Sequence, residues 1–560
     1  DIRLREGNRY GWNGKLDLNF AGAGGYMEGP LGNGKGSFLI GIHRSFLDFL
    51  PKVLNYGGTP IYSNTQGKVV YDLNQQNQLS FLWLGGDDRI HIGPEAKVDN
   101  FPIGRVDTVD YQNIDFKSRQ LTAAVQWRSF WSKNFFTHFI VAHSTNRFFI
   151  DVNSIGIAAA HVNDELNDKT KISEADLYDN ISTENISTAR LDANWQISGN
   201  SSLSFGGHYK FNQFDHDIRY LPVHPDRPDA FGQKPAPLSV NIHQGLTPKQ
   251  GGYVNFKHRI FSRFVYNIGG RYDGFNLLGV NNFSPRFNIA FDATERLDLH
   301  AGIGRYDQDP EFVFITSDPS NKRNLKDIRC DHFIAGMNVL LTPGARLTLE
   351  VFRKNYANYP VSADSGYEMI SLANTGADYG SNLFAQKLVS RGEGRAKGFE
   401  LMIQKKMSDR VYGLMSYSYS VIKNKALDNV YRNGAFDNRN VFNLVLGWRK
   451  NKNWEFSVKW RYAGGAPYTP YDRDASIAAD EGRLDMTRVN ANRFPSYHRL
   501  DLRVDQRRYL RKGTLVDYFS IENAYGRKNV LNGYWNRAQG RMDFNFQTGF
   551  FFVGGVSYEF

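Results

Sequence analysis

The sequence has a single cysteine, Cys330, among 560 residues, which excludes an intrachain disulfide and a cysteine-built metal cluster. It also lacks any run near the ~18 consecutive apolar residues that a membrane-crossing helix needs. Mean hydropathy is −0.49, and helical periodicity is almost absent, so a helical membrane protein is excluded. No low-complexity linker, charge run or break in composition divides the chain. The several domains that such a length suggests for a soluble protein have no boundaries to mark them. A secretory leader is absent too: the chain opens Asp1-Ile-Arg-Leu-Arg-Glu, as a mature or trimmed exported chain would. Gly-x-Ser-x-Gly, His-Glu-x-x-His and phosphate-loop patterns do not occur, so enzymatic activity and a resident cofactor are not expected.

Aromatic residues and alternation are what the sequence has in abundance. Aromatics make up 14% of the chain, with 30 Tyr, 41 Phe and 9 Trp. Many sit near the ends of alternating runs, as girdles at two membrane interfaces would require. By composition alone, a large soluble β protein with aromatic-rich strands fits equally well. The alternation itself has period 2. Trp454, Phe456, Val458, Trp460 and Tyr462 interleave with Glu455, Ser457, Lys459 and Arg461, and Leu203, Phe205, Tyr209 and Phe211 interleave with Ser202, Ser204, His208 and Lys210. One face of each strand is apolar and the other polar. The net charge of +11 is spread along the chain, which suits a partly basic lumen better than nucleic-acid binding.

Tight turns alternate with long segments. Ten have hairpin chemistry: residues 32–36, 75–77, 132–134, 199–200, 262–263, 294–296, 342–344, 408–410, 451–453 and 511–513, rich in Gly, Asn and Asp that tolerate positive φ. Between them lie longer polar segments, the largest being 151–182, 221–248, 307–328, 357–390 and 465–497. Short turns on one rim and long loops on the other is the layout of an outer-membrane barrel. Ten hairpins make twenty strands, from a short one at 26–31 to one at 514–526. One strand precedes them at 12–20 and one follows at 549–560. The expected fold is therefore all-β: a 22-stranded antiparallel transmembrane β-barrel, closing the last strand against the first.

Several segments then resemble a known family in order and spacing. They are Met27-Glu-Gly-Pro-Leu-Gly with Gly36-Ser-Phe-Leu-Ile-Gly-Ile-His-Arg-Ser-Phe-Leu47, Phe283-Ser-Pro-Arg286 with Ala301-Gly-Ile-Gly-Arg-Tyr306, and Ala396-Lys-Gly-Phe-Glu-Leu401. Ser520-Ile-Glu-Asn-Ala-Tyr-Gly-Arg-Lys-Asn-Val530 and the closing Phe551-Phe-Val-Gly-Gly-Val-Ser-Tyr-Glu-Phe560 complete the series. Together they resemble the barrel domain of TonB-dependent outer-membrane receptors, the opening segment being similar to a Bacteroidetes-type subgroup. The resemblance implies residence in the outer membrane of a Gram-negative bacterium as a multi-pass barrel. It implies energy-coupled uptake of a scarce or bulky nutrient such as a siderophore, cobalamin, oligosaccharide or peptide. Implied partners are the TonB complex through a plug region, the barrel-assembly machinery through the strand ending at Phe560, outer-membrane lipid and a surface lipoprotein. Residues 1–11 resemble the tail of the plug's final strand, leaving 12–560 as the barrel and the plug itself missing. A passive porin-like channel and a surface binding or adhesion protein share the same strand pattern.

Three sets of residues are candidates for ligand contact. Polar-parity cations in mid-chain and late strands (Arg271, Arg286, Arg305, Lys257, Arg259, Lys459, Arg461) can guide an anionic ligand, or else pair with the plug and with each other. Tyr468 and Tyr471 in loop 465–497, with Tyr356, Tyr359, Tyr367 and Tyr379 around loop 357–390, offer rigid aromatic contact area, or else belong to an interface belt. His208, His216, His224 and His243, near Asp215, Asp217, Asp226 and Asp229, have metal-binding chemistry; their spacing matches no metal pattern, which leaves His216 and His224 as weak candidates against the alternative of solvated loop histidines.

Overall fold

A computed structural model of the chain describes residues 4–46, 58–92, 106–162, 165–220, 238–375, 386–408, 410–479, 482–536 and 539–560. Twenty-two antiparallel strands form one closed wall. Each pairs with its sequence neighbour, and the last, Phe551–Glu559, pairs with the first, Asn13–Asn19, through Lys15↔Glu559 to Asn19↔Gly555. The backbones of Gly14 and Phe560 exchange two hydrogen bonds of 3.0 Å, so the terminal aromatic residue sits on the closing seam. A three-residue strand, Tyr431–Asn433, attaches only to the top of Val411–Lys425 and is not part of the wall. No described helix is long and apolar enough to cross a membrane.

All ten expected tight turns fall between consecutive wall strands. At the first, Gly32, Asn33 and Gly34 take φ of 57°, 57° and 84°, a left-handed run that glycine and asparagine accept at little cost. The strand expected at 26–31 is longer: it runs Gly22–Leu31 and is joined to the first by Phe20 and Ala21 alone. The strand expected to reach 526 stops at Glu522, where Asn523 turns to φ 51° and leaves the ladder.

The segment 151–182 is not a loop. Phe135–Val162 and Glu165–Ser198 carry the sheet through it with 28 and 34 residues. A strand that continues beyond the bilayer needs no apolar parity, so its sequence reads as polar. Register shifts at Val152/Asn153, Gly156/Ile157 and Ala159/Ala160 interrupt the pairing there. At about 3.3 Å per residue, the 28-residue strand is ~90 Å long, against the ~9–11 residues a bilayer requires. This wall therefore stands far above the membrane.

Alternation sorts the side chains. Leu299, Ile303, Phe333 and Val351 are between 41% and 54% exposed on the outer face, where acyl chains cover them. Trp127, Trp131, Trp195, Trp448, Trp454 and Tyr509 are exposed on strand ends next to the tight turns, and they make the girdle of that rim.

Candidate functional site

The lumen wall is charged, and its charges are largely matched to one another. Residues two apart on a strand share a face, so Arg-x-Asp places both ions side by side. Arg271 binds both carboxylate oxygens of Asp273 at 2.6 Å. Arg503 does the same with Asp505 at 2.9 and 2.6 Å and lies 3.9 Å over the Tyr518 ring. Arg190 reaches Asp192 at 2.7 Å, and Asp192 also accepts from the Tyr253 hydroxyl at 2.7 Å. Near the tight-turn rim, Glu455 collects Arg449, Arg507 and Tyr412 at 3.1, 2.8 and 2.5 Å. At the same rim the N-terminal segment lies against the lumen wall. Arg5 pairs with Glu28, which also accepts the Asn8 N–H at 3.0 Å, and Arg9 pairs with Asp72.

The expected lumen cations do not converge. Arg286 stacks 4.4 Å over the Tyr306 ring, Lys459 faces Asp501 at 3.9 Å, and Arg259 pairs with Asp292 at 3.2 Å. Arg461 lies 5.7 Å over the Tyr497 ring. Arg305 shares its face with Leu299 and Ile303 and pairs across strands with Asp331 at 2.9 Å. It therefore sits on the outward parity near the top of its strand, as the alternation through Leu299, Ile303 and Arg305 itself dictates.

The long loops fold into the mouth. Phe275, Leu278, Phe314, Ile315, Leu325, Ile370 and Leu388 form an apolar core from two wall-strand ends, Phe275 and Leu388, and three connecting segments: the turn 276–279, the loop 309–327 with its helical turns Phe312–Thr316 and Asn321–Asn324, and the loop that starts at 363. Phe312 stacks 4.5 Å from Phe214 on the wall. Asn321, fully buried, donates to the Phe314 carbonyl at 2.8 Å and accepts from the Leu388 N–H at 2.7 Å. Burial, then the nearby charge of Glu184, raises the Glu311 carboxyl above its ordinary range. Asp327 closes the same loop. Its carboxyl is pushed up to about 7 by burial and by repulsion from Asp309, Asp307 and Asp273, with Lys249 opposing. A second tie joins loops 426–439 and 464–496: fully buried Asp437 accepts from Arg439 at 2.9 Å, Arg493 at 2.5 Å and the Ile422 N–H at 2.9 Å.

A family model described as TonB dependent receptor-like, beta-barrel matches residues 54–552. The chain belongs to the TonB-dependent receptor family. It is accordingly a transport protein of the Gram-negative outer membrane and not an enzyme. Among solved structures, the ferripyoverdine receptor of Pseudomonas aeruginosa superposes with a TM-score of 0.69 at 12% identity, covering 100% of this chain and 73% of that one. The siderophore receptor PiuA of Acinetobacter baumannii gives 0.66 at 11% identity, covering 99% and 82%, and the copper transporter OprC gives 0.63 at 12%, covering 99% and 82%. At such identities the likeness is one of fold. No curated protein matches the sequence.

In this receptor the described tyrosines of these segments each lie against another side chain. Tyr468 stacks 4.4 Å from Phe494 in the small hairpin Pro467–Tyr468 with Asn492–Arg493, and Tyr471 lies 5.6 Å from Trp535 of the next loop. Tyr356 and Tyr359 contact each other at 5.6 Å, and Tyr367 borders the apolar core. Tyr379, His224, Asp226 and Asp229 lie outside the described residues. His216 is buried and faces Glu184 at 3.3 Å, while His243 pairs with Asp215. Among the described residues no three metal-ligating side chains gather. Sequence reasoning passed over Lys249, Asp309, Asp327 and Asp437. Nothing local distinguishes them, because their partners come from strands and loops far away in the chain.

Proposed function

We propose that this receptor takes up a scarce or bulky nutrient by energy coupling through a periplasmic TonB-type partner. In this reading, residues 1–11 are the end of a plug that precedes barrel residues 12–560. A siderophore, a cobalamin, an oligosaccharide or a peptide is the class of cargo. The observation that supports the proposal is the folded mouth: described loop segments pack on an apolar core, and ordered loops suit capture of a particular ligand rather than free diffusion. The N-terminal segment tied to Glu28 and Asp72 supports a plug that connects to the wall at the tight-turn rim. The C-terminal strand ending at Phe560 is the element offered to the barrel-assembly machinery, and the tall wall is a place where a surface lipoprotein can dock.

Growth on candidate nutrients, with and without the coupling protein, tests the proposal. Uptake that vanishes without the coupling protein is the expected result, and equal growth in both strains would remove the claim. Large, steady single-channel conductance of the full-length protein would instead favour a passive channel.

A further inference from the structure

On the lumen face, near the mouth, Lys210 and Lys249 stand directly opposite each other on the neighbouring strands Ser201–Tyr220 and Leu238–Ile260. Like charges in that position destabilise a sheet unless an anion lies between them. One carboxylate is supplied. Asp309, the first residue after the strand Leu297–Gln308, pairs with Lys249, whose ammonium also lies 5.5 Å over the buried Phe275 ring. Lys210 is half-buried and has no ion pair among the described residues. The charges around it are those of Lys249, Asp309, Arg271 and Asp273, and Arg271 is already held at two points by Asp273. A Cβ on Gly251 would lie 2.4 Å from the His208 ring and 2.6 Å from Asp273, so glycine is what leaves room for those two side chains beside the lysine pair.

The carboxylate paired with Lys249 belongs to the loop and not to the wall. Asp309 begins the segment 309–327 that carries Phe312 and Phe314 into the apolar core of the mouth. A ligand carboxylate seated between the two lysines would take the position of Asp309 and detach the start of that loop. We propose that Lys210 and Lys249 form a seat for a carboxylate-bearing ligand, which Asp309 fills in the ligand's absence, so that ligand entry and the docking of loop 309–327 compete. The proposal rests on the mouth being the entry route, but its test needs no transport.

Citrate, titrated calorimetrically into the purified receptor in detergent at constant ionic strength, serves as the probe. Charge-assisted hydrogen bonds set the expected scale: Asp309→Asn tightens citrate binding about tenfold by removing the competitor, and Lys210→Gln weakens it about tenfold. Lys210→Arg keeps the charge and keeps the affinity, which separates loss of the site from loss of the fold. Hydrogen exchange of residues 309–327 rises as citrate binds. The proposal is overturned if citrate does not bind, if Asp309→Asn leaves the affinity unchanged, or if the loop stays equally protected at saturation. Failure of the uptake reading would appear in the growth assay alone, with this competition intact.

Discussion

Ile303 on the wall is 54% exposed, whereas Ile315 in the loop above it is fully buried. The two side chains are identical and the strand and loop are consecutive, so the difference comes from the solvent. The wall faces acyl chains, and its apolar parity turns outward with polar groups inside. The loops face water, and the apolar residues around 309–327 gather inward as in a soluble domain. The mouth is thus a small water-soluble core built on top of a membrane protein, and it needs its own polar ties to hold loops that no ladder connects.

The largest effect is expected at Asp437. Alanine there leaves Arg439 and Arg493 with no carboxylate at a fully buried position, a loss of ~3–5 kcal/mol for a broken buried pair. Loops 426–439 and 464–496 should then become sensitive to limited proteolysis while the wall stays intact. Unchanged resistance would mean that backbone contacts alone hold the mouth.

The wall breaks by the opposite substitution. Ile303→Arg places a charge on the lipid face and should cost ~2–4 kcal/mol of folding stability in vesicles if it lies at mid-bilayer. Asn288→Arg, on the lumen parity of the adjacent strand, should change stability little. Equal costs would refute the assignment of faces.

Asp327 sharpens the comparison by pH. Its carboxyl value is higher docked, at about 7, than in a free loop, so it favours docking at low pH, and that contribution is lost as pH rises through about 7. Hydrogen exchange of residues 309–327, corrected for its intrinsic rate, should be slower near pH ~6 than near pH ~8, whereas the wall should show no such change. Asp327→Asn should flatten the profile.

The smallest effect is expected for Arg541→Ala. Its guanidinium is 65% exposed and meets Asp543 at 3.0 Å. Such a pair contributes well under ~1 kcal/mol, and thermal unfolding of the variant should overlay that of the parent.

The turns and the strand count were legible because both are local. A tight hairpin needs particular residues over two to four positions, and period 2 shows within a single strand. The height of the wall at Phe135–Ser198 was not legible, since above the bilayer the parity that marks a strand disappears. The site was less legible still. Lys210 was visible as a polar-parity residue, but its standing opposite Lys249 depends on the register of two strands, and Asp309 arrives from a third.

The sequence by itself therefore determined a closed alternating barrel, which rim carries the tight turns, and which parity of each strand meets lipid, because lipid and water select by side-chain type at every second residue. Only the tertiary structure decided which lumen ions meet and that described loop segments at the mouth pack on a core of their own. Those outcomes depend on strand register and loop docking, which bring together residues that no local pattern relates.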